Sequence, residues 1–345
     1  MKYRYLFIFL FVFLVGCEKI LGPDPDNTPE NNFEIFWKDF NLYYAQFQIR
    51  HIDWDSVYTV TRPQISPQTT DRQLFNILSN IVLRLNDMHT SLYSPFGDIN
   101  VYLNSLLRTY PSSKFINPGK YTTNRNYQSS VLYFGKYKDD NIGYININTF
   151  SVGGDNITLL DDRYLVIDDI LQQFKDTKGL LIDVRGNGGG NEFNAETVAD
   201  RFADQKRFFA KFCMKNGPGK NDFSEWISRY IEPKGAYQYN KPVVVLTSRA
   251  TCSAAEYFVM AMKVLPQVTT VGDTTSGGIG YPIFRELPNG WTYRLSTGIG
   301  ATTDGYIIEG KGIPPDIPVL TTVADSINGI DRIVEKGIEI IENSK

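Results

Sequence analysis

Between residues 33 and 85 the apolar positions fall at helical spacing. Phe33, Phe36, Trp37 and Phe40 open the series, Tyr43, Tyr44 and Phe47 extend it, and Trp54, Val57 and Tyr58 carry it on. Pro63 and Pro67 interrupt the pattern. Asp71 then caps a second long helix with Leu74, Ile77, Leu78, Ile81 and Leu85 on one face. These aromatic residues read as core. From about residue 130 the pattern changes to short β-branched runs separated by helical stretches. Residues 131–134, 142–147, 179–184, 208–214, 242–246 and 268–271 read as strands, and 159–174, 191–202, 254–263 and 324–342 as helices. That alternation predicts an α/β fold with mostly parallel strands and right-handed crossovers. Asn289-Gly290, between apolar runs, predicts a hairpin with a type I′ turn. Residues 94–129 are rich in Pro, Asn, Ser and Tyr and read as an irregular connection.

Composition changes this picture little. The chain has 345 residues, 42% hydrophobic and 21% charged, enough for a sizeable soluble core. A net charge of −3 without a basic run gives no reason to expect nucleic acid as a partner. Three cysteines and two histidines offer no zinc spacing and no disulfide framework, so no metal or cofactor is expected.

The first residues read as targeting. Lys2 and Arg4 precede an apolar run over 5–15, too short to span a bilayer, and Leu14-Val15-Gly16-Cys17 closes it. This resembles the lipobox of bacterial lipoproteins; the alternative is an ordinary secretory signal. The expectation is a signal peptide over 1–17 and lipid attached at Cys17. The protein would then be exported and anchored in the cell envelope, at the outer membrane. Residues 18–32, with Gly22-Pro23-Asp24-Pro25, read as a flexible tether. A helical region over 33–93, the connection over 94–129 and an α/β core over 130–345 complete the expected organisation.

Four stretches carry candidate chemistry. Ser253 lies where the strand over 242–246 gives way to a helix, and the amides of a helix's first turn carry positive potential. Nucleophilic serines are displayed in this way on α/β scaffolds. The plainer reading is a capping box, Ser253-Ala254-Ala255-Glu256. Asp183-Val184-Arg185-Gly186-Asn187-Gly188-Gly189-Gly190 follows a strand, and its glycines allow a ligand close to the backbone. It lacks the Gly-Lys-Ser/Thr of a phosphate loop and misses the dinucleotide fingerprint. His89, in Asn86-Asp87-Met88-His89-Thr90, ends a helix, where a structural role is the default. Glu309 sits in a Gly/Pro-rich loop over 304–319.

Taken in order, these four motifs resemble the S41 serine peptidases, the family of C-terminal processing and tricorn-type proteases. Gly272-Asp273-Thr274-Thr275-Ser276-Gly277-Gly278 resembles a further loop of that family. The resemblance implies a crotonase/ClpP-like α/β core of the tail-specific protease type. It also implies Ser253 as nucleophile, with the amides of Ala254 and of Gly188 or Gly189 as the oxyanion hole. The C-terminal processing branch uses a lysine after the nucleophile; Gly277-Gly278 stand there instead. The tricorn-like branch uses a histidine and a late glutamate, matched by His89 and Glu309, although Met88 replaces the serine before that histidine. Many relatives insert a PDZ domain, for which 94–129 is too short. The implied function is a serine-type endopeptidase acting on proteins or peptides in the envelope. An inactive peptide- or lipid-binding lipoprotein on the same fold is the alternative.

Overall fold

The computed structural model of the protein describes residues 25–102, 123–127, 131–137, 141–151 and 162–344. The expectations for the signal, Cys17 and most of 94–129 lie outside the described residues. Helices α1 (Pro29–Tyr43), α2 (Trp54–Thr61) and α3 (Asp71–Leu85) lead into the hairpin β1 (Ser91–Ser94) and β2 (Gly97–Asn100). Then come β3 (Thr123–Tyr127), β4 (Leu132–Tyr137), β5 (Ile142–Ile147), α4 (Ile167–Gln173), β6 (Gly179–Asp183), α5 (Glu192–Ala199), β7 (Arg207–Met214) and β8 (Ile227–Ile231). The chain continues through β9 (Val243–Thr247), α6 (Ala254–Lys263), β10 (Val268–Gly272), β11 (Pro282–Glu286), β12 (Thr292–Ser296) and β13 (Gly298–Thr302). It closes with β14 (Ile317–Pro318), α7 (Val323–Ile327) and α8 (Arg332–Asn343).

A seven-stranded sheet in the order β14-β10-β9-β6-β5-β4-β3 forms the centre. β5, β6, β9, β10 and β14 run parallel, and β4 and β3 extend the sheet antiparallel. Parallel strands are covered on both faces, which is why β6 and β9 are continuous apolar runs. Leu180 and Ile182 turn to one face, with Ile170, Ala195 and Phe258 of α4, α5 and α6. Leu181 and Val244 turn to the other, against Ile333, Val334 and Ile338 of α8.

A second core lies beside this sheet. Phe33, Phe36, Phe40, Trp54, Leu74 and Leu78 of the three N-terminal helices pack on Leu92, Trp291, Tyr293 and Leu295. The sheet beneath them has the order β11-β12-β1-β2, so it combines strands from both ends of the chain. The helical region over 33–93 is therefore not a unit of its own. It ends in a strand and shares its core with residues 282–296, and Asp39 pairs with Arg285 at 2.9 Å across the joint.

Local differences from the sequence reading have identifiable causes. Ordered structure begins before residue 33, because Thr28 caps α1 and Pro29 takes its first turn, where a missing N–H costs nothing. Thr70, not Asp71, caps α3, exchanging hydrogen bonds with Gln73. The Asn289-Gly290 hairpin is not type I′. Only Gly290 has positive φ (79°), and its N–H reaches Leu287 O at 2.8 Å. Pro288 supplies the negative φ that a type I turn wants at its first central position. The helix expected over 324–342 breaks at Gly329 (φ 65°), after which Asp331 caps α8.

Candidate active site

β6 and β9 are neighbours and parallel, with Asp183 opposite Leu246. Their carboxyl ends therefore emerge side by side, the position where open α/β sheets build sites. The two loops that follow are stitched together. Thr251 Oγ1 donates to Val184 O at 2.9 Å, Cys252 N donates to Asn187 O at 3.0 Å, and the Ser248 hydroxyl donates to Arg185 O. Arg185 itself is buried between Asp183 (2.7 Å) and Asp331 (2.8 Å), which ties this corner to the start of α8.

Ser253 occupies the elbow into α6 with φ 57° and ψ −126°, a conformation rare for a residue with a Cβ. Glu256 holds it there. Its fully buried carboxylate accepts from Ser253 N (3.1 Å), Gly278 N (2.8 Å), Gly277 N (2.7 Å) and Thr275 Oγ1 (2.6 Å). Burial pushes the Glu256 carboxyl up, and these donors oppose the shift. The capping-box reading thus describes a contact that exists, and the contact also fixes the elbow.

The glycine turn after β6 faces this elbow. A Cβ at Gly189 (φ 103°) would lie 2.5 Å from Ser253 Cβ and 2.9 Å from Ala254 N, so only glycine fits. Of the amides suggested for an oxyanion, that of Gly189 donates to Asn187 Oδ1 at 2.8 Å. Those of Gly188 and Ala254 show no partner among the described residues. Asn187 also donates to Ile147 O at 3.1 Å and so positions the turn, a role its sequence context did not signal.

His89 comes from the other core, just beyond α3. Asn86 ends that helix in the left-handed conformation (φ 49°), and the buried Asp87 carboxylate accepts from His89 N at 2.9 Å. His89 is 4% exposed, and its Nδ1 has no hydrogen-bond partner among the described residues. Burial, and then the positive charge of Arg294, lower its pKa to about 4. His89 and Ser253 line one cleft of about 370 Å³, together with Met88, Tyr102, Gly188 and Arg294.

Glu309 stands behind the cleft and is not among its lining residues. Oε1 accepts from Ile279 N at 3.1 Å, and Oε2 is buried without a partner among the described residues. Burial first, then the charge of Asp87, push its carboxyl well above the ordinary value. Where the C-terminal processing branch would have its lysine, a Cβ on Gly278 would meet Met88 Cβ at 3.0 Å. The loop bearing His89 fills that space. Cys252 is buried, and burial raises its thiol well above the ordinary value, so it packs rather than reacts. Cys213 is likewise buried and free.

The fold and cleft define a class: an α/β protein that presents a strained serine at a helix start, facing a glycine turn and a buried histidine. Residues 141–319, just over half of the chain, match the family model described as peptidase family S41. The chain belongs to that family of serine peptidases. It is 30% identical over 184 residues to the carboxy-terminal processing protease CtpA of Bacillus subtilis (strain 168). That match covers 53% of this chain and 36% of CtpA, so the chain spans about a third of its relative's length. A crystal structure of a candidate peptidase from Parabacteroides merdae ATCC 43184 superposes with a TM-score of 0.81 at 32% identity. It covers 92% of this chain and 97% of that one. Mature CPAF, at 14% identity and a TM-score of 0.68 over 91% of this chain and 96% of that one, shares the fold.

Proposed function

We propose that the chain is a serine endopeptidase. Ser253 Oγ attacks the carbonyl carbon of a peptide bond while the His89 imidazole takes its proton. The tetrahedral oxyanion is received by the amides of Gly188 and Ala254. His89 then delivers the proton to the departing amine, leaving an acyl group on Ser253 that water hydrolyses. Glu309 supports this site from behind, through the charges of Asp87 and Arg50, which lie 3.9 Å apart, and not by a hydrogen bond to the imidazole. The observation that carries the reading is the shared cleft: a strained serine, two amides without partners among the described residues and a histidine held neutral by burial. Labelling with a fluorophosphonate probe tests it. The wild type should label, and Ser253→Ala and His89→Ala should not. A folded wild type that does not label would refute an activated serine and favour a binding protein on this fold.

The substrates are proteins or peptides of the cell envelope, reached from a lipid anchor on Cys17. The basic start, the short apolar run and the small residues before Cys17 support this placement. Fractionation of cells making the full chain checks it. Cys17→Ser should move the protein out of the membrane fraction, and an unchanged distribution would refute the anchor.

A further inference from the structure

We propose that Arg294 is a specificity residue that receives a carboxylate of the substrate next to the scissile bond. The proposal rests on the peptidase reading above.

Arg294 lies on β12, opposite Ser91 of β1 and Phe284 of β11, and lines the cleft that holds Ser253 and His89. Its Nε is buried and has no hydrogen-bond partner among the described residues. The Phe284 ring lies 5.7 Å from the guanidinium carbon and supplies no counter-charge. Three other guanidiniums withdrawn from solvent meet carboxylates at hydrogen-bond distance. Arg185 meets Asp183 and Asp331, Arg201 meets Asp168 at 2.9 Å, and Arg229 meets Glu196 at 2.6 Å. The carboxylate that acts on Arg294 from within the protein is Asp87, whose oxygens are committed to His89 N and to the Ser296 hydroxyl.

A guanidinium kept partly dry and unpaired in a cleft is costly unless something arrives to pair with it. Its planar fork matches a carboxylate in bidentate fashion. The side of the peptide follows from His89. Arg294 lines the same cleft as that imidazole, which in the proposed reaction hands its proton to the leaving amine. A carboxylate on Arg294 therefore belongs to the leaving-group half of the substrate. Its chemistry is shared by two sources, a free chain terminus and an Asp or Glu side chain.

Matched peptide pools separate these sources: C-terminal acid against amide, and internal Glu against Gln, with cleavage read by mass spectrometry. The wild type should favour one carboxylate-bearing pool by about 10- to 100-fold in kcat/KM, mainly through KM. Arg294→Gln and Arg294→Met should bring that ratio close to one, and Arg294→Lys should keep part of it. Melting curves identify which variants fold. Cleavage of neutral and acidic pools at equal rates by the wild type would overturn the proposal and leave the peptidase reading standing. So would a preference that survives both Arg294→Gln and Arg294→Met. If no pool is cleaved and no probe labels, the peptidase reading has failed by itself. Fluorescence anisotropy of the same peptides on Ser253→Ala then decides about Arg294: equal affinity for acid and neutral forms overturns the proposal.

Discussion

Replacing Ser253 by glycine should abolish labelling and yet make the protein more stable than Ser253→Ala. The reasoning starts from the backbone. At φ 57° and ψ −126°, the residue sits where a Cβ is disfavoured and glycine is not. Such a conformation costs about 1–3 kcal/mol for a non-glycine residue. Glycine returns part of this because its unfolded chain is freer, by about 0.5–1 kcal/mol. The net gain is about 0.5–2 kcal/mol. Unfolding entropy is about 2.1 cal/mol/K per residue, or roughly 0.7 kcal/mol/K for a chain of 345 residues. A gain of about 1.5 kcal/mol therefore raises Tm by about 2 °C. Alanine is the proper reference, since it removes the hydroxyl and keeps the Cβ. The assay is scanning calorimetry of the two variants side by side. A glycine variant that melts at or below the alanine variant would show that the elbow stores no strain.

Two further outcomes follow from the buried groups. The proposed role of His89 as a base requires the neutral imidazole, and its pKa is lowered to about 4. The labelling rate should therefore rise with pH through about 4 and stay flat between 6 and 7, whereas an ordinary imidazole would give a limb near 6.5. The same shift makes folding weaken as pH falls. The unfolded histidine takes a proton near 6.5 and the folded one does not until about 4, so this stability is intact above 6.5 and is lost on the way down. An acid limb of labelling near 6.5 contradicts the burial argument. Glu256→Gln should lower stability by about 1–3 kcal/mol and slow labelling, because in either orientation the amide turns its NH₂ toward a backbone donor, Gly277 N on one side or Ser253 N and Gly278 N on the other. Urea unfolding measures the first effect; a midpoint equal to that of the wild type would mean the four hydrogen bonds to Glu256 do not hold the elbow.

The sequence displayed the parts of the site that rest on local pattern. β6, β9 and α6 are continuous apolar or helical runs, and their junctions are marked by glycine and serine, so Ser253 and the glycine turn could be found there. Two things escaped because they depend on distant pairing. β11 and β12 were recognisable as a hairpin, but nothing local says that β12 pairs with β1 and completes the N-terminal core. Arg294 is consequently invisible as a cleft residue: in sequence it is one polar position in an alternating strand. Glu256 was visible as a cap; that its carboxylate also accepts from Gly277, Gly278 and Thr275 needed the fold.

That distant pairing also determines how the site is assembled. The family-matched stretch holds Ser253, Gly188, Ala254 and Glu309, whereas His89 precedes it. Three contacts fix the His89 loop relative to Ser253. Ser91 pairs with Arg294 across β1 and β12, the Ser296 hydroxyl donates to Asp87 at 2.6 Å, and Met88 packs where a Gly278 side chain would be. Because side chains alternate along a strand, a slip of one residue between β1 and β12 would turn Arg294 out of the cleft. The same slip would separate Asp87, and with it His89, from Ser296. The central sheet therefore carries Ser253 and its glycine turn, but His89 reaches the cleft they share only when the aromatic N-terminal core has docked in register. The large buried aromatic residues of α1 and α2 serve the chemistry in this indirect way, by making that register the one arrangement that buries them.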